Sequence, residues 1–381
     1  MKKPIVLQIL PRLNSGGVER VTIDTAGFLA HHDDTPTYVA SEGGILVEEL
    51  EWRGAKHISI PLATKNPFKI IWNGFRLAKV IKTLKIDLLH VRSRAPAWST
   101  LIASRLTDVP FLTTYHGAYR VNAPLKNWYN SAMVRGKYVI SISDFVSAVI
   151  KEHHRNLNPR IVKIYPGVDA NGLLNPARYT PDDLLKQRQE WGIPSDAFVM
   201  ITVGRIAKAK RFDLAVQALG ALSDHKKLYL IIAGSDQGRT ELSDDLLELA
   251  QRLKVVDRVR LVQDFRDIPL VYALSDVVLF PTGLMETYGR ITAEAGAMGK
   301  IVIASKVGAI PELILDGETG YLFPKGDVSA LVDCIRAVLT MQPEQKSEME
   351  HKARAHILAN FSAERMYAET LKLYHQIADI S

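Results

Sequence analysis

The sequence has little cysteine and no long hydrophobic run. Its only cysteine is Cys334, which excludes an intrachain disulfide framework and a metal site built from several cysteines. No stretch approaches the roughly 20 consecutive apolar residues that a membrane-spanning helix needs. The apolar run at residues 5–10 is too short for the core of a secretory signal. We therefore expect a cytoplasmic protein.

Length and charge indicate two domains of different character. At 381 residues, with 47% hydrophobic and 23% charged residues, the chain is too long for one ordinary core, and two α/β domains are expected. Residues 1–170 contain 23 Lys and Arg against 13 Asp and Glu, a net charge of +10, and the total of +7 leaves −3 for residues 171–381. The basic half predicts an anionic partner: nucleic acid, anionic lipid or an acidic acceptor.

Short β-branched runs alternate with longer amphipathic stretches, a pattern typical of βα units in a mainly parallel, doubly wound sheet. A polar stretch from Tyr165 to about Pro194, containing one helix, divides the runs into two sets. Two helices, at residues 344–360 and 362–379, finish the chain. The predicted strands are residues 5–10, 37–40, 57–60, 86–91, 111–115, 138–142 and 161–164, then 198–203, 228–233, 259–261, 277–280 and 301–304.

Residues that follow strands are the candidates for function, because open α/β sheets bind ligands beyond the carboxyl ends of their strands. In the first half, Gly16 and Gly17 allow a backbone to approach a ligand at the start of a helix. Arg92, Arg94 and His116 follow two later strands. Each has an ordinary alternative: a tight turn for the glycines, a solvated loop for the arginines, and a hydrogen-bonded core position for the histidine.

Cations follow the first strand of the second half. Gly204 and Arg205 end that strand, and Lys210 stands just before a predicted helix. Guanidinium, ammonium and the helix dipole all favour the same anion, which predicts a diphosphate site. The ordinary alternative is a basic loop.

Two carboxylates follow the strand at residues 277–280. Glu286 lies in the turn, where it is placed for a hexose or for fixing the loop, beside backbone N–H groups at the start of a helix. Glu294 lies on that helix among small residues, which let the helix approach a ligand closely. A carboxylate there can accept hydrogen bonds from two ribose hydroxyls.

The stretch from Glu286 to Glu294 resembles the E-x7-E motif of the retaining glycosyltransferase family of GT-B fold, glycosyltransferase group 1. The resemblance spans nearly the whole chain in the expected order, through Gly16-Gly17, Tyr115-His116-Gly117, Pro166-Gly167-Val168-Asp169, Gly204-Arg205 with Lys210, and residues 307–312. It implies two Rossmann-like, doubly wound domains facing a cleft. Residues 1–168 would form the acceptor-side domain and residues 169–360 the nucleotide-sugar-binding domain, with the helix at 361–381 crossing back to the first.

The resemblance also implies roles for single residues. Arg205 and Lys210 would clamp the donor diphosphate, Glu294 would hold the ribose and Glu286 the donor sugar. His116 would lie beside the transferred sugar, and Gly17 would approach the phosphates. The other expected donor contacts are Gly16, Gly204, Thr287, Tyr288, Gly289 and Arg290, with Asp264 and Phe265 framing the base.

The implied reaction is transfer of a hexose, with retention, from a UDP- or GDP-linked sugar. Departure of the nucleoside diphosphate builds negative charge on the leaving oxygens, which a fixed pair of cations stabilises. The sequence has no Asp-x-Asp, the usual metal-binding signature of the other main glycosyltransferase fold. We therefore expect no metal and no other cofactor. Same-face attack and a covalent intermediate both remain open.

The run from His90 to Trp98 resembles a subgroup of bacterial lipopolysaccharide-core enzymes, among them mannosyltransferases. This implies an acidic glycan or glycolipid acceptor, met by exposed charge on Arg92 and Arg94 and by His116.

A predicted helix carries Phe68, Trp72 and Phe75 among basic residues. We expect either peripheral contact with the cytoplasmic face of an anionic inner membrane or packing of the rings on the sheet with the cations in water. The surrounding cations are Lys65, Lys69, Arg76, Lys79, Lys82 and Lys85.

Two other functions stay open on the sequence. A sugar-nucleotide epimerase or hydrolase of the same fold would keep the nucleotide site and need no acceptor. A non-catalytic binder of nucleotide sugar or nucleic acid would need no reactive geometry. No aromatic stacking signature or known nucleic-acid motif accompanies the basic half, so we expect no nucleic-acid partner.

Overall fold

The two sets of strands form two separate parallel sheets in a computed structural model, which describes residues 3–14, 16–32, 36–119, 124–263 and 265–379. The chain divides into two units: unit 1 comprises Met1–Pro166 with Glu364–Ser381, and unit 2 comprises Gly167–Ala363. Among the described residues, no helix is long and apolar enough to cross a membrane.

Unit 1 is a seven-stranded sheet flanked by helices. Its strands run in the order β3-β2-β1-β4-β5-β6-β7, all parallel. The strands are β1 (Val6–Ile9), β2 (Tyr38–Ser41), β3 (Lys56–Ser59), β4 (Leu88–Val91), β5 (Phe111–Tyr115), β6 (Tyr138–Ser141) and β7 (Ile161–Lys163). The helices are α1 (Gly17–His32), α2 (Val47–Trp52), α3 (Pro67–Leu84), α4 (Arg94–Thr107), α5 (Pro124–Asn130) and α6 (Asp144–His153).

The first α-helix of unit 2 is α7 (Pro181–Glu190), the one helix expected in the polar stretch. The six parallel strands of unit 2 run in the order β10-β9-β8-β11-β12-β13. They are β8 (Phe198–Val203), β9 (Leu228–Ala233), β10 (Val259–Val262), β11 (Val277–Phe280), β12 (Ile301–Ser305) and β13 (Gly320–Phe323). The helices are α8 (Phe212–Ala221), α9 (Thr240–Arg252), α10 (Ile268–Ala273), α11 (Arg290–Ala297), α12 (Ile310–Leu313), α13 (Val328–Leu339) and α14 (Pro343–Phe361).

The last helix, α15 (Ala363–Ala378), packs on unit 1. Met366, Leu373 and Ile377 share an apolar cluster with Val6 and Leu88 of the sheet. Burial of these apolar side chains fixes α15 on unit 1, although the strands of unit 1 lie two hundred or more residues earlier in the chain.

Each sheet reverses its strand order once, at β1/β4 in unit 1 and at β8/β11 in unit 2. In a doubly wound sheet the loops on either side of this switch diverge and leave a crevice at the carboxyl ends of the strands. The crevice in each unit therefore lies among the residues that follow those two strands.

The strand β13 was not predicted from the sequence. It is a four-residue edge strand that begins with Gly320, and two of its four residues are only half-buried. Glycine contributes no β-branched side chain, so this strand lacks the apolar run that marks the other twelve.

Candidate functional site

The candidate residues of unit 2 surround the switch point of its sheet. Gly204 and Arg205 directly follow β8, and residues 281–289 follow the neighbouring strand β11 and lead into α11. Gly204 has φ +125° and Gly289, the residue before α11, has φ +94°, conformations that glycine adopts without steric cost. The two glycines thus turn the chain sharply directly after β8 and directly before α11.

Lys210 and Glu286, 76 residues apart, form an ion pair in this crevice. The Lys210 Nζ donates to Glu286 Oε1 at 2.7 Å, and each side chain is less than a fifth exposed. The Thr282 hydroxyl donates to the same oxygen at 3.1 Å, and the Lys210 Nζ lies 5.0 Å from the centre of the Phe280 ring. An ammonium has three donors, so Lys210 can hold Glu286 and an anion together.

Arg205 is exposed, and its guanidinium lies 3.5 Å from the amide oxygen of Gln237. Among the described residues this long contact is the one that holds the guanidinium, which can therefore turn towards a phosphate at little cost. Arg205 and Lys210 therefore bring two cations to the same strand end.

Both carboxylate oxygens of Glu294 accept hydrogen bonds, one from a residue of α11 and one from a residue of α10. Its Oε1 accepts from Arg290 Nε at 2.6 Å, and its Oε2 accepts from the Tyr272 hydroxyl at 3.0 Å. Tyr272 is fully buried, and burial together with the Glu294 charge raises its pKa well above the usual value, so it remains a donor. A carboxylate has about four lone-pair sites, of which two are used here. Glu294 can still accept from two hydroxyls.

The remaining residues predicted to contact the donor differ in burial and in their distance along the sheet from the switch point. The Tyr288 side chain is buried, with its ring centre 6.4 Å from that of Phe361. Thr287, Gly289 and Arg290 lie in the same turn and at the start of α11. Phe265 follows β10, two strands from β8, and meets Trp191 edge to face at 5.2 Å. Asp264 lies outside the described residues.

In unit 1, Gly16 and Gly17 stand at the start of α1, after β1. A Cβ on Gly16 would lie 2.2 Å from the Glu19 carboxylate, whereas one on Gly17 would meet no atom of the described part of the chain within 4 Å. Open space at Gly17 leaves room for another group against the backbone, as the expected approach to phosphate requires.

Arg92 is buried, and the expectation of an exposed charge is wrong for this residue. Its Nε and Nη2 donate to Gln8 Oε1 on β1 at 2.8 and 2.7 Å, and the residue is 4% exposed. Its guanidinium also helps to line, with Thr114 and His116, a cavity of about 20 Å³, room for about one water molecule. Any effect of Arg92 on an acceptor therefore acts over a short range, where added salt screens little.

Arg94 and His116 remain partly accessible, and His116 also lines that cavity. Arg94 donates to Asn130 Oδ1 at 3.2 Å, and its guanidinium lies 4.1 Å from the Tyr119 ring centre, a cation–π contact. Desolvation and the nearby Arg92 lower the pKa of His116 to about 3. His116 is consequently neutral at physiological pH and offers one donor and one acceptor nitrogen.

Several supporting residues are absent from the sequence prediction. Tyr272 and Thr282 fix the two carboxylates, and Gln8 holds Arg92. Thr282 and Gln8 could have been found from their positions, since one follows β11 and the other lies on β1 at the switch point. Tyr272 lies on the short helix α10 and carries no local signal.

Known proteins resemble both halves of this chain. Residues 184–356 match the family described as Glycosyl transferases group 1, and residues 15–171 match Glycosyltransferase Family 4. The crystal structure of a glycosyltransferase from Rickettsia africae ESF-5 matches with a TM-score of 0.92 and 32% identity, and the match covers 100% of both chains. The chain belongs to the glycosyltransferases.

Two further similarities bear on this glycosyltransferase. N-acetyl-α-D-glucosaminyl L-malate synthase of Bacillus anthracis is 26% identical over 312 residues, which cover 79% of this chain and 78% of the relative. Anabaena Alr3699/HepE in complex with UDP is 22% identical, with a TM-score of 0.83, over 98% of this chain and 100% of that one. The structural matches identify the two Rossmann-like sheets as a GT-B fold.

Proposed function

We propose that this glycosyltransferase moves a hexose, with retention, from a UDP- or GDP-linked sugar to an acidic glycan or glycolipid. The observation that carries the proposal is the ion pair of Lys210 with Glu286, which joins the segments after β8 and β11 at the switch point of unit 2, with Arg205 directly after β8. Unit 2 holds the donor and unit 1 the acceptor. Within this class, a mannosyltransferase of the lipopolysaccharide core is the finer proposal, supported by the run from His90 to Trp98.

On the donor side, the arrangement provides one partner for each part of a nucleotide sugar. Arg205 and Lys210 face the diphosphate, Glu294 accepts from the ribose, and Glu286, with backbone groups of the turn before α11, meets the sugar. Trp191 and Phe265 offer aromatic surface at the edge where a base would lie. The UDP bound to the HepE neighbour supports a nucleotide donor.

The acceptor side is proposed to recognise an anion. Arg92, which is buried, and His116, which is partly accessible, line a small cavity, and Arg94 begins the helix that follows the same strand as Arg92. Guanidinium pairs with carboxylate and phosphate. The malate in the name of the Bacillus anthracis relative is a carboxylic acid, which supports an acidic acceptor.

The chemistry follows from charge. As the bond between the anomeric carbon and the diphosphate oxygen breaks, the electron pair goes to that oxygen and the sugar becomes oxocarbenium-like. The cations at Arg205 and Lys210 stabilise the leaving diphosphate in a fixed geometry. The acceptor hydroxyl then forms the new bond and releases its proton. The spacing of Glu286 and Glu294 supports retention by resemblance, and no nucleophile is assigned.

A product assay tests the proposal against its rivals. The protein is incubated with UDP- and GDP-linked hexoses, with and without an acidic core oligosaccharide. We expect glycosylated acceptor whose anomeric configuration matches that of the donor, by proton NMR. Free sugar formed equally without acceptor would identify a hydrolase, and an isomerised donor an epimerase. Binding without any product would indicate a non-catalytic protein.

We expect transfer to persist in excess EDTA. Arg205 and Lys210 supply positive charge where a divalent ion would otherwise act on the diphosphate, so removing metal leaves the leaving-group stabilisation in place. The measurement is the initial rate in EDTA, in added Mg²⁺ and in added Mn²⁺. Activity that EDTA abolishes and either ion restores would contradict the role given to the two cations.

A further inference from the structure

The outer side of α3 exposes large apolar side chains. Phe68, Ile71, Trp72 and Phe75 are 80%, 48%, 62% and 54% exposed. They follow the i, i+3, i+4, i+7 spacing and so form one stripe, called here the aromatic face. The alternative that these rings pack on the sheet is wrong.

The opposite side of α3 supplies the packing that the fold needs. Ile70, Leu77 and Ile81 are buried, and Gly74 lies so close to α4 that a Cβ would be 2.6 Å from Ile102. The helix is therefore fixed by its inner side, and the aromatic face is not required to hold it in place. Side chains of this size are seldom left in water in such a group without a partner.

Positive charge continues the same stripe. Lys79 and Lys82 stand seven residues beyond Trp72 and Phe75, on the same side of the helix, and both are exposed. Lys69 and Arg76 are exposed along one flank, with the Arg76 guanidinium 6.0 Å from the centre of the Trp72 ring. Residues 52–86 contain eight Lys and Arg and no Asp or Glu.

We propose that the aromatic face of α3 docks unit 1 on an anionic lipid bilayer. Phe68, Trp72 and Phe75 would enter the interface between headgroups and acyl chains, while Lys79 and Lys82 lie against lipid phosphates. Aromatic rings favour this boundary, and cations near an anionic surface strengthen the attachment. The docking is independent of the transfer reaction proposed above.

The charges select lipid over a second copy of the chain. Symmetric self-association through the aromatic face would bring the lysines of two molecules together without a carboxylate on residues 52–86 to pair with them. An anionic bilayer offers lipid phosphates to pair with the lysines, and beneath them an apolar layer that the aromatic rings can enter.

The test is sedimentation of the full chain with vesicles, without donor or acceptor. We expect binding to vesicles of phosphatidylcholine with phosphatidylglycerol, little binding to phosphatidylcholine alone, and weaker binding as salt rises from about 0.1 M to about 1 M. The F68S/W72S/F75S variant should lower partitioning at least about tenfold. K79E/K82E should lower it at least about twenty-fivefold, because each lysine near the surface contributes roughly fivefold.

Trp52 provides the matched control, since it is 83% exposed on α2 of the same unit, outside the aromatic face. W52S should bind vesicles as the native chain does. Far-ultraviolet circular dichroism checks that each variant is folded. Three results would overturn the proposal: equal binding to both vesicle types, no binding to either, or a soluble dimer that F68S/W72S/F75S separates. Transfer to a soluble acceptor should be kept by every folded variant, so loss of docking and failure of the proposed reaction are distinguishable.

Discussion

Replacing Lys210 or Arg205 by alanine should lower the turnover of sugar transfer about a hundredfold or more. This is the scale for removing one preorganised donor that stabilises transition-state charge. The two residues follow one strand in unit 2 and present their cations at the switch point of its sheet. The measurement is kcat at saturating donor and acceptor for each single variant.

The two replacements should differ in their effect on the protein itself. Arg205 is exposed, so R205A should leave stability nearly unchanged. K210A removes the ion-pair partner of Glu286, whose side chain is only 18% exposed, and leaves that carboxylate with Thr282. We expect K210A to lower the melting temperature as well as turnover, because a shielded charge has lost its counter-ion.

Lys208 is the matched control for this experiment. It lies on the same single turn of 3-10 helix as Lys210, is exposed, and carries the same charge. K208A should therefore keep near-native turnover. Comparable losses in K208A and K210A would show that net positive charge, and not the placement of Lys210 beside Glu286, accounts for the effect. Near-native turnover in folded R205A and K210A would contradict the clamp.

The strands of the fold could be predicted because the signal is local. Twelve of the strands are confirmed within one or two residues at each end, since buried parallel strands read as short β-branched runs between turns. The strand β13 had no such run. The same local reading placed Phe68, Trp72 and Phe75 on one helix, but left open which side of that helix faces the sheet.

For the candidate site, the sequence predicts which residues follow neighbouring strands, but not which side chains contact each other. Sequence order places Arg205 after β8 and Glu286 after β11, and the rule for doubly wound sheets brings those ends together. It does not show that Lys210 pairs with Glu286, or that Tyr272 holds Glu294. Such contacts join residues far apart in the chain and depend on side-chain direction, which no local pattern records.

The burial of Arg92 likewise could not be predicted from a local sequence pattern. An arginine after a strand resembles any loop cation, and only the neighbouring strand reveals that Gln8 accepts from it below the surface. Burial changes the physical expectation, because a shielded guanidinium acts at hydrogen-bond range instead of attracting ligands through salt-dependent fields.

Replacing Gly308 by alanine should lower turnover about tenfold to a hundredfold, although Gly308 itself carries no reactive group. A Cβ on Gly308 would lie 2.1 Å from the carbonyl oxygen and 2.8 Å from the nitrogen of Glu286. The next residue, Ala309, donates its N–H to that carbonyl at 2.8 Å. Alanine must therefore push the backbone of Glu286 away, and a displacement near 1 Å at a reacting centre can cost roughly a hundredfold.

The G317A variant is the control that distinguishes displacement of the Glu286 backbone from left-handed backbone strain. Both glycines have positive φ, +55° at Gly308 and +79° at Gly317, but a Cβ on Gly317 would meet none of the residues that the structure describes within 4 Å. G317A should therefore lose only the roughly 1–2 kcal/mol of left-handed strain and keep its turnover. The measurements are the free energy of unfolding and kcat for both variants, with the Km for donor as a separate readout. If folded G308A has the turnover of G317A, the contact between Gly308 and Glu286 does not position the carboxylate, and the stability of the loop alone explains the glycine.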